Sequence, residues 1–486
     1  MSLIYGPDQV KAWDAYTIEH SPISSLDLME RAAIACCKKL IGSYAFESIS
    51  LVCGKGNNGG DGLAIARILS ERNYKVTVFI CDYTPNSSAD FAANLERLPT
   101  TVERIHLNEG DVINFESDLL VDCIFGAGLD RPIENYIAAI VANMNQSGIP
   151  IVSIDLPSGL YLGSNTENDL VNVIKAASTF SFQIPKLPFF FAEYAPFVGH
   201  FSVLNIGLST EFKGPSLATY IDRTEIQLKP ISDFSFKGTK GYLTVIAGSG
   251  HMIGAALLCC QAAFKTGCGY VGLISNKAAL VPLATSLPEA IWIGENPTQV
   301  PNKTTAIAIG PGLGKSDLAK QRFKLALQFD GPLVIDADAL NLLAEDPELI
   351  NQLPKGSILT PHLGELKRLI GNTNRPEQLL EKQRAFSIKH GIYIVQKGAY
   401  SKLTTPSGNL YINSSGNVGM ATAGMGDALT GIIGSFLAQG YSPQEAAING
   451  VYFHGLAGDH AALRKGQIGL LTSDVIQALP AVLNGL

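Results

Sequence analysis

The segment 421–431 joins a loop of small residues to an apolar helix, and Asp427 lies where that helix is predicted to begin. Free amide groups at a helix start, with the positive end of the helix dipole behind them, favour a bound phosphate. An anion placed there needs a reason, and deprotonation of a hydroxyl that attacks a phosphoryl group would be one. The alternative is an ordinary helix start after a flexible loop, because Asp is favourable in a first turn. The loop alone leaves both interpretations open.

Five further motifs precede this loop, at residues 248–250, 309–314, 334–341, 360–365 and 397–401. Their order resembles the dehydratase domain of NAD(P)H-hydrate repair enzymes, a branch of the ribokinase-like fold, from about Phe236 to the C-terminus. The resemblance implies that the hydrated dinucleotide contacts Ala255, Gly312, His362 and Asp427. It also implies that a nucleotide contacts Lys397, Gly398, Ala399, Tyr400, Ser401 and Gly426.

Two of these motifs contain polar residues whose roles stay open. His362 follows an apolar, strand-like stretch, so it would either cap the next helix or contact a ligand. Asp336 and Asp338 follow a predicted buried strand, where two acids can bind magnesium beside nucleotide phosphates. We expect Asp338 to be the N-cap of a helix over 339–345, and the sequence leaves Asp336 without an assigned role.

A second glycine-rich segment, 52–62, lies between a predicted buried strand and a predicted helix over 63–70. Three of its glycines (54, 56 and 59) satisfy the dinucleotide pattern G-x-G-x-x-G, and Asp82 follows the next strand, as in an ordinary Rossmann dehydrogenase. Asn57, Asn58 and Asp61, however, crowd this loop with carbonyl and carboxylate groups. Such groups suit a cation or a polar ligand better than a bare phosphate.

Two acids end later strands of the first half. Asp122 leads into the loop 126–132, and Asp155 leads into the segment 156–159. The carboxyl ends of parallel strands meet at the ligand crevice of an α/β sheet, so both acids should converge near Asn58. A single strand-end acid is usually a turn former, but three polar clusters at strand ends favour a site.

These segments resemble the NAD(P)HX epimerase domain, from about Gly6 to Asp222. The resemblance implies that the hydrated dinucleotide is held by Asn57, Asn58, Gly59, Gly60 and Asp61 together with Gly126, Ala127, Gly128, Leu129, Asp130, Arg131 and Pro132. It further implies a potassium ion on Asn58, Asp122 and Ser158, and contact of Asp155 with the reacting ring. The match weakens at 161–165, where the family has an Asp-rich stretch, and resumes at 176–186.

Together the two resemblances imply a bifunctional metabolite repair enzyme for nicotinamide dinucleotides whose reduced ring has been hydrated. Asp155 would move the proton during epimerisation, and Asp427 would be the base during dehydration. The dehydratase would use ADP or ATP with Mg²⁺, and the fused arrangement favours ADP. Two alternatives remain: a vitamin-type kinase with an N-terminal regulatory domain, and a first half that serves only as a binding module.

Composition limits the class of protein. The chain has 486 residues, 46% hydrophobic and 16% charged, which is typical of a globular protein of two domains. A net charge of −7 without long basic runs argues against a nucleic-acid partner. No apolar run is long enough to span a membrane, and residues 1–14 do not resemble a signal peptide. The eight cysteines form no C-x-x-C pair, so we expect buried, reduced thiols in a cytoplasmic protein.

The alternation of strands and helices predicts two α/β domains. The first is expected to be a Rossmann-like, doubly wound α/β/α domain over 1–222, followed by a linker over 223–235 and a ribokinase-like α/β domain over 236–486. His454 and His460 lie on different sides of one predicted helix, so we expect packing or surface roles rather than a metal site. The phenylalanines 189–191 would be a membrane or partner patch, a loop that packs over the first site, or the interface of an expected homo-oligomer.

Overall fold

The computed structural model describes residues 2–111, 113–230 and 232–485. The chain forms two compact units, one from Leu3 to Leu217 and one that begins at Ala218. The predicted domain end at Asp222 stays a prediction. It differs from this division because Ala218–Ile221 forms a strand that pairs with Leu410–Asn413, within the sheet of the second unit.

The elements before Ala218 alternate as expected for an α/β unit. The strands are β1 (Ser2–Ile4), β2 (Ser48–Cys53), β3 (Lys75–Cys81), β4 (Glu103–Leu107), β5 (Leu119–Cys123), β6 (Ile151–Ile154), β7 (Ser178–Phe182) and β8 (His200–Leu204). The helices are α1 (Pro7–His20), α2 (Ser25–Ser43), α3 (Asn57–Ser70), α4 (Ala89–Arg97), α5 (Asn135–Gln146) and α6 (Ala195–Val198).

The sheet of the first unit is parallel, with the order β4-β3-β2-β5-β6-β7-β8. Its central strands are buried along almost their whole length, as a parallel sheet covered on both faces requires. From β2 the chain adds β3 and β4 on one side, and it then returns to add β5 on the other side of β2. The position between β2 and β5 is therefore the switch point at which doubly wound folds bind ligands. The predicted Rossmann-like class is confirmed.

Helix α3 begins at Asn57, earlier than the predicted start at residue 63. Three glycines follow within the first turns, and their weak helix propensity favoured a loop. Tertiary packing overrides that preference, because a β-carbon on Gly59 would lie 1.7 Å from the carbonyl oxygen of Gly54. Only glycine lets the helix approach the preceding strand so closely. The segment predicted as a binding loop is therefore the first turn of a helix.

The second unit has the remaining strands and helices. The strands are β9 (Ala218–Ile221), β10 (Tyr242–Ile246), β11 (Tyr270–Ile274), β12 (Ile291–Gly294), β13 (Ala306–Ile309), β14 (Leu333–Ile335), β15 (Ile358–Leu359), β16 (Tyr393–Gln396), β17 (Lys402–Thr404) and β18 (Leu410–Asn413). The helices are α7 (Ile253–Lys265), α8 (Leu280–Ser286), α9 (Asp317–Leu327), α10 (Ala337–Glu345), α11 (Leu363–Ile370), α12 (Pro376–His390), α13 (Met425–Ala438), α14 (Pro443–Lys465) and α15 (Thr472–Asn484).

The sheet of this unit runs in the order β9-β18-β17-β16-β15-β14-β13-β10-β11-β12. The strands from β16 to β12 pair in parallel, whereas β17 is antiparallel to both of its neighbours. One core cluster joins the sheet to α7, α13, α14 and α15, and another joins it to α9, α10 and α11. Helices therefore cover both faces of the sheet, and the predicted α/β class is confirmed for this unit as well.

The burial of side chains tests the predictions for the phenylalanines 189–191 and for the eight cysteines. The phenylalanines 189–191 are buried, so the prediction of an exposed membrane or partner patch is wrong, as is that of an interface built from them. All eight cysteines are free and buried, as predicted. Within the described residues, no helix combines the length and apolar character needed to cross a membrane.

The position of β9 predicts where the second unit can be cut. A fragment that begins at Ala218 should be more stable than one that begins at Ser232, because only the first retains β9 and the fully buried Ile221. Burial of one such side chain corresponds to about 2 kcal/mol of unfolding free energy. Urea unfolding of both fragments would measure the difference, with Ile221→Ala in the intact chain as a control. Equal midpoints would show that β9 does not belong to this cooperative unit.

Candidate active sites

In the second unit, the predicted motifs gather along one edge of the sheet. Backbone bonds tie each strand-end residue to its neighbour: Gly310 to Ile246, Asp336 to Ile309, Thr360 to Ile335 and Lys397 to Pro361. His362 and Lys397 also form an isolated parallel bridge. Segments far apart in sequence therefore line the carboxyl edge of β13, β14, β15 and β16, which is where an open α/β sheet binds its ligand.

Helix α13 begins at this edge with its amide groups uncapped. Its N-cap is Gly424, at a φ of 90° that favours glycine, and no side chain caps the helix. The hydroxyl of Thr472 donates to the carbonyl of Ala423 at 2.8 Å and so holds the preceding loop. The first amides of a helix lack intrahelical partners, so those of α13 are free to bind an anion.

A buried ion pair lies directly beside this helix start. Asp336 is 1% exposed, and its carboxylate accepts from the ammonium group of Lys397 through Oδ1 and from the hydroxyl of Thr430 through Oδ2, the latter at 2.7 Å. A β-carbon on Gly426 would lie 3.1 Å from Nζ of Lys397 and 3.5 Å from Oδ2 of Asp336. The site thus combines a fixed positive charge with free helix amides.

Asp427 lies in the first turn of α13, and within the described residues its carboxylate accepts no hydrogen bond. Burial, followed by the negative charge of Asp336, raises its pKa to about 6. Lys397 acts in the opposite direction, and Asp338 adds a smaller upward contribution. An unpaired carboxylate with a pKa near neutrality has the properties of a general base.

The hydrogen bonds of Asp338 and His362 show what each residue does locally. Helix α10 begins at Ala337, so the prediction that Asp338 is its N-cap is wrong; the carboxylate of Asp338 instead accepts from the amide of Gly314 at 2.8 Å. His362 is the N-cap of α11, and its Nδ1 accepts from the amide of Gly364 at 3.0 Å. Its ring is exposed at the same sheet edge, so the predicted ligand contact stays a prediction.

The other predicted contact residues of this unit surround the same edge. A β-carbon on Gly312 would lie 3.2 Å from that of Ala255, which brings these two predicted hydrate contacts together. The segment 397–401 connects β16 to β17, with Gly398 and Ala399 exposed and Tyr400 and Ser401 half-buried.

In the first unit, Asp122 and Ser158 meet at adjacent strand ends. Asp122 is fully buried and accepts from the hydroxyl of Ser158 at 2.5 Å, the amide of Ser158 at 2.8 Å and the hydroxyl of Ser153 at 2.7 Å. Burial raises its pKa, and the hydrogen bonds from Ser158 and Ser153 partly offset that effect. Asp122 and Ser158 therefore lie together, whereas the predicted convergence of Asp122 and Asp155 near Asn58 stays a prediction.

Asn58 lies on the first turn of α3 and faces the loop that follows β5. A β-carbon on Gly126 would lie 3.3 Å from Cγ of Asn58. Both polar atoms of the Asn58 amide are buried and have no hydrogen-bond partner within the described residues. Buried amides are almost always paired, so this side chain is suited to a ligand.

The rest of the predicted dinucleotide segments differ in exposure. Asn57 is exposed, whereas Gly59, Gly60 and Asp61 are buried along α3. In the loop 126–132, residues 126, 127 and 129 are half-buried and Gly128, Asp130, Arg131 and Pro132 are exposed. The loop therefore presents an accessible edge beside the buried Asn58.

Asp155 lies among three charged groups from different parts of the first unit: Lys186, Asp14 and Asp61. Nζ of Lys186, a residue that is 1% exposed, lies 3.2 Å from Oδ1 of Asp155 and donates to the carbonyl of Phe182 at 3.1 Å. Burial and the charge of Asp155 raise the pKa of Asp14 to about 6, and that of Asp61 is raised well above its usual range for the same reasons. Proton-holding groups thus surround Asp155.

Two further features separate this unit from an ordinary dehydrogenase. Asp82, the acid expected at a ribose, is bound to Lys55 at 2.6 Å and to His106 at 2.7 Å. The divergent segment 161–165 is built around the buried Asn165, which accepts from the amide of Tyr161 at 2.9 Å and donates to its carbonyl at 2.9 Å.

Comparisons with known proteins follow this division of the chain. Residues 25–187 match a family model described as the YjeF-related protein N-terminus, and residues 243–481 match one described as NAD(P)H-hydrate dehydratase. A bifunctional NAD(P)H-hydrate repair enzyme from Thermofilum pendens is 32% identical, over 98% of this chain and 95% of its own. One from Moorella thermoacetica is 34% identical, over 96% and 93%.

The chain belongs to this family of bifunctional NAD(P)H-hydrate repair enzymes. Among solved structures, a ribokinase-like superfamily protein from Enterococcus faecalis is 30% identical and matches with a TM-score of 0.50, over 55% of this chain and 96% of its own. Because the family matches extend over both units, they favour the repair enzyme over a kinase with a regulatory domain.

Three residues of these repair-enzyme sites were not found from the sequence. Lys186 and Thr430 fall within the segments 176–186 and 421–431, but the sequence assigned a role to neither, because their roles depend on tertiary contacts with Asp155 and Asp336. His454 was expected to pack, yet its Nε2 is enclosed without a partner in the described part of the chain. Burial, together with the charge of Lys397, lowers its pKa to about 4. Only the glycine spacing around His454 hinted that this helix face is closely packed.

The raised pKa of Asp427 predicts the pH dependence of the second unit. If its carboxylate must be ionised, kcat/KM for the nucleotide-dependent reaction should fall about tenfold per pH unit below about pH 6, because the folded-state pKa lies above that of a free Asp. Nucleotide binding measured over the same range separates chemistry from affinity. A rate that stays constant through that range would mean that Asp427 does not titrate in turnover.

Proposed function

We propose that the first unit interconverts the two epimers of hydrated NADH or NADPH, and that the second unit dehydrates one epimer at the expense of ADP or ATP. The observation that carries the proposal is the start of α13, where the unpaired Asp427 and the Lys397 ammonium group flank uncapped helix amides. Family membership supplies the substrate.

Dehydration begins with the hydroxyl on the ring carbon next to the ring nitrogen. Asp427 accepts the hydroxyl proton while the hydroxyl oxygen attacks the terminal phosphorus of the nucleotide. The bond between that phosphorus and the rest of the nucleotide then breaks. The amides of α13 and the Lys397 ammonium group face the charge that develops on the transferred oxygens. The ring nitrogen then expels phosphate, and loss of a proton from the neighbouring carbon restores the reduced ring.

The residues available for Mg²⁺ favour an ion that arrives with the nucleotide. Within the described residues, no group of three or more His, Cys, Asp or Glu side chains could hold a metal. The carboxylates of Asp336 and Asp338 are already bonded to other protein groups. Magnesium would therefore bind mainly through phosphate oxygens, in keeping with its preference for few protein ligands. The segment 397–401 would contact the nucleotide, for which ADP is our first choice.

Epimerisation requires loss of the hydroxyl as water and its return to the opposite face of the ring. Asp155 would move the proton, first as acid and then as base. The Lys186 ammonium group contacts the carboxylate of Asp155, while the raised pKa values of Asp14 and Asp61 keep protons within the same cluster.

The donor set around Asn58 fits a potassium ion. Asn58 offers an unpaired carbonyl oxygen, and Asp122 and Ser158 offer hard oxygen ligands from adjacent strand ends. Asn58, Asp122 and Ser158 would hold the ion, which would neutralise charge and order the loop 126–132 around the substrate.

The main test combines an assay with one substitution. Hydrated NADH is incubated with the protein and ADP or ATP, and the return of reduced-nicotinamide absorbance is followed. Asp427→Asn should slow dehydration by about two to four powers of ten while nucleotide binding persists, because the amides and Lys397 remain. Epimerisation is the internal control and should not change. Near-normal dehydration by the variant would remove Asp427 from the role of base.

The potassium site has a test that spares the fold. Asn58→Ala removes a side chain whose amide has no hydrogen-bond partner within the described residues, whereas Asp122→Ala would also take the acceptor from four donors. We expect Asp122→Ala to slow epimerisation most and Ser158→Ala least, with Asn58→Ala abolishing the difference between potassium and a bulky organic cation. Epimerase rates of each variant, measured in both salts, would test this order. Equal wild-type rates in the two salts would contradict a functional potassium ion.

A further inference from the structure

Asp336 is the most buried acid at the dehydratase site, and the proposed chemistry gives it no step. It ends β14 and lies at the N-cap position of α10, but its side chain does not cap that helix. Both carboxylate oxygens point toward the start of α13, where they bind Lys397 and Thr430. A buried carboxylate is costly unless it is paired, so its retention at this position calls for a role.

The contacts of Asp336 show whether it is a magnesium ligand or a residue that holds Lys397 in place. A magnesium ligand needs an oxygen free to face the ion, and a single Mg²⁺ demands near-ideal octahedral geometry. In Asp336, Oδ1 bonds to the Lys397 ammonium group and Oδ2 to the Thr430 hydroxyl. Thr430 lies on α13 itself, within the helix whose first amides form the anion site. The carboxylate therefore connects Lys397 to α13 instead of facing the phosphates.

We propose that Asp336 is a positioning residue of the dehydratase: together with Thr430 it fixes the Lys397 ammonium group beside Gly426, where that group meets the transferred phosphoryl oxygens. This inference rests on the function proposed for the second unit. Lysine has a long, flexible side chain, and an ammonium group held by a buried carboxylate stays in place before the phosphate arrives. Gly426 leaves the space that this arrangement requires.

The same carboxylate sets the electrostatic surroundings of the base. Asp427 faces the charges of Asp336 and Asp338, which raise its pKa, and that of Lys397, which lowers it. Replacement of Asp336 by a neutral residue removes the larger of the two upward contributions. The pKa of Asp427 should then fall, and the acid limb of the pH profile should move to lower pH.

The experiment compares matched substitutions in the full-length protein. Asp336→Asn should lower kcat for dehydration about tenfold to hundredfold, as expected when a catalytic charge is misplaced. Thr430→Val should have a smaller effect of about two- to tenfold, and Thr430→Ser, which retains the hydroxyl, should restore the rate. Glu345→Gln, which neutralises an exposed acid on the same helix as a control, should leave the rate unchanged.

A double-mutant cycle tests whether Asp336 acts through Lys397. In a Lys397→Met background, Asp336→Asn should have little further effect on kcat, because the group that it positions is absent. Additive losses would overturn the proposal, as would a rise in the magnesium concentration needed for half-maximal activity of Asp336→Asn, which would mark Asp336 as a metal ligand. Thermal unfolding will show whether Asp336→Asn is too unstable to assay. In that case, Thr430→Val and Thr430→Ser test the positioning role by the same criteria.

Binding of ADP with magnesium, measured by calorimetry on each variant, separates this inference from the proposed function. If the wild-type protein binds ADP but does not dehydrate the hydrate, the proposed function fails, and coupling between Asp336 and Lys397 in ADP affinity still tests the positioning. If dehydration occurs and the cycle is additive, the positioning role alone fails.

Discussion

Both sites depend on one constraint: parallel strands in a sheet deliver their carboxyl ends to the same edge. The residue that follows each strand leaves the ladder there, so its side chain can face a ligand instead of a neighbouring strand. In the second unit this places Asp336, His362 and Lys397 in one row, although 61 residues separate the first from the last. In the first unit it places Asp122 beside Ser158. The helices that begin over these edges, α3 and α13, then add their free amides.

The same constraint explains how much the sequence could predict. Acids at the ends of buried strands are visible as local patterns, so Asp122 and Asp155 could be chosen as candidates before their neighbours were known. Asp427 could be chosen because it follows a loop of small residues at the start of an apolar helix. The alternation of strands and helices likewise predicted both fold classes. Lys186 and Thr430 could not be found in this way. A lysine after one strand and a threonine within an apolar helix have no local signature, because their roles come from carboxylates elsewhere in the chain.

The wrong local predictions have a common physical cause. Asp338 was expected to cap a helix that in fact begins earlier, and α3 was expected to begin after its glycines. Both expectations used intrinsic preferences for capping and helix formation, which amount to about 1 kcal/mol or less per residue. Close packing against the sheet outweighs that amount, because Gly59 lies against Gly54 with no room for a side chain. Such contacts involve residues brought together only by the fold.

At each site, polar groups with complete hydrogen bonds support the site, whereas polar groups without protein partners are the ones available for chemistry or ligand binding. Both carboxylate oxygens of Asp336 have protein partners, so this residue holds other groups in place. Asp427 and the Asn58 amide are largely or fully enclosed yet have no such partner within the described residues. The folded chain bears the cost of leaving the buried Asn58 amide without a partner, and a bound ligand is the natural means of relieving it. Catalytic and ligand-binding groups therefore lie where the protein has left hydrogen bonds unmade, beside neighbours whose own bonds are complete.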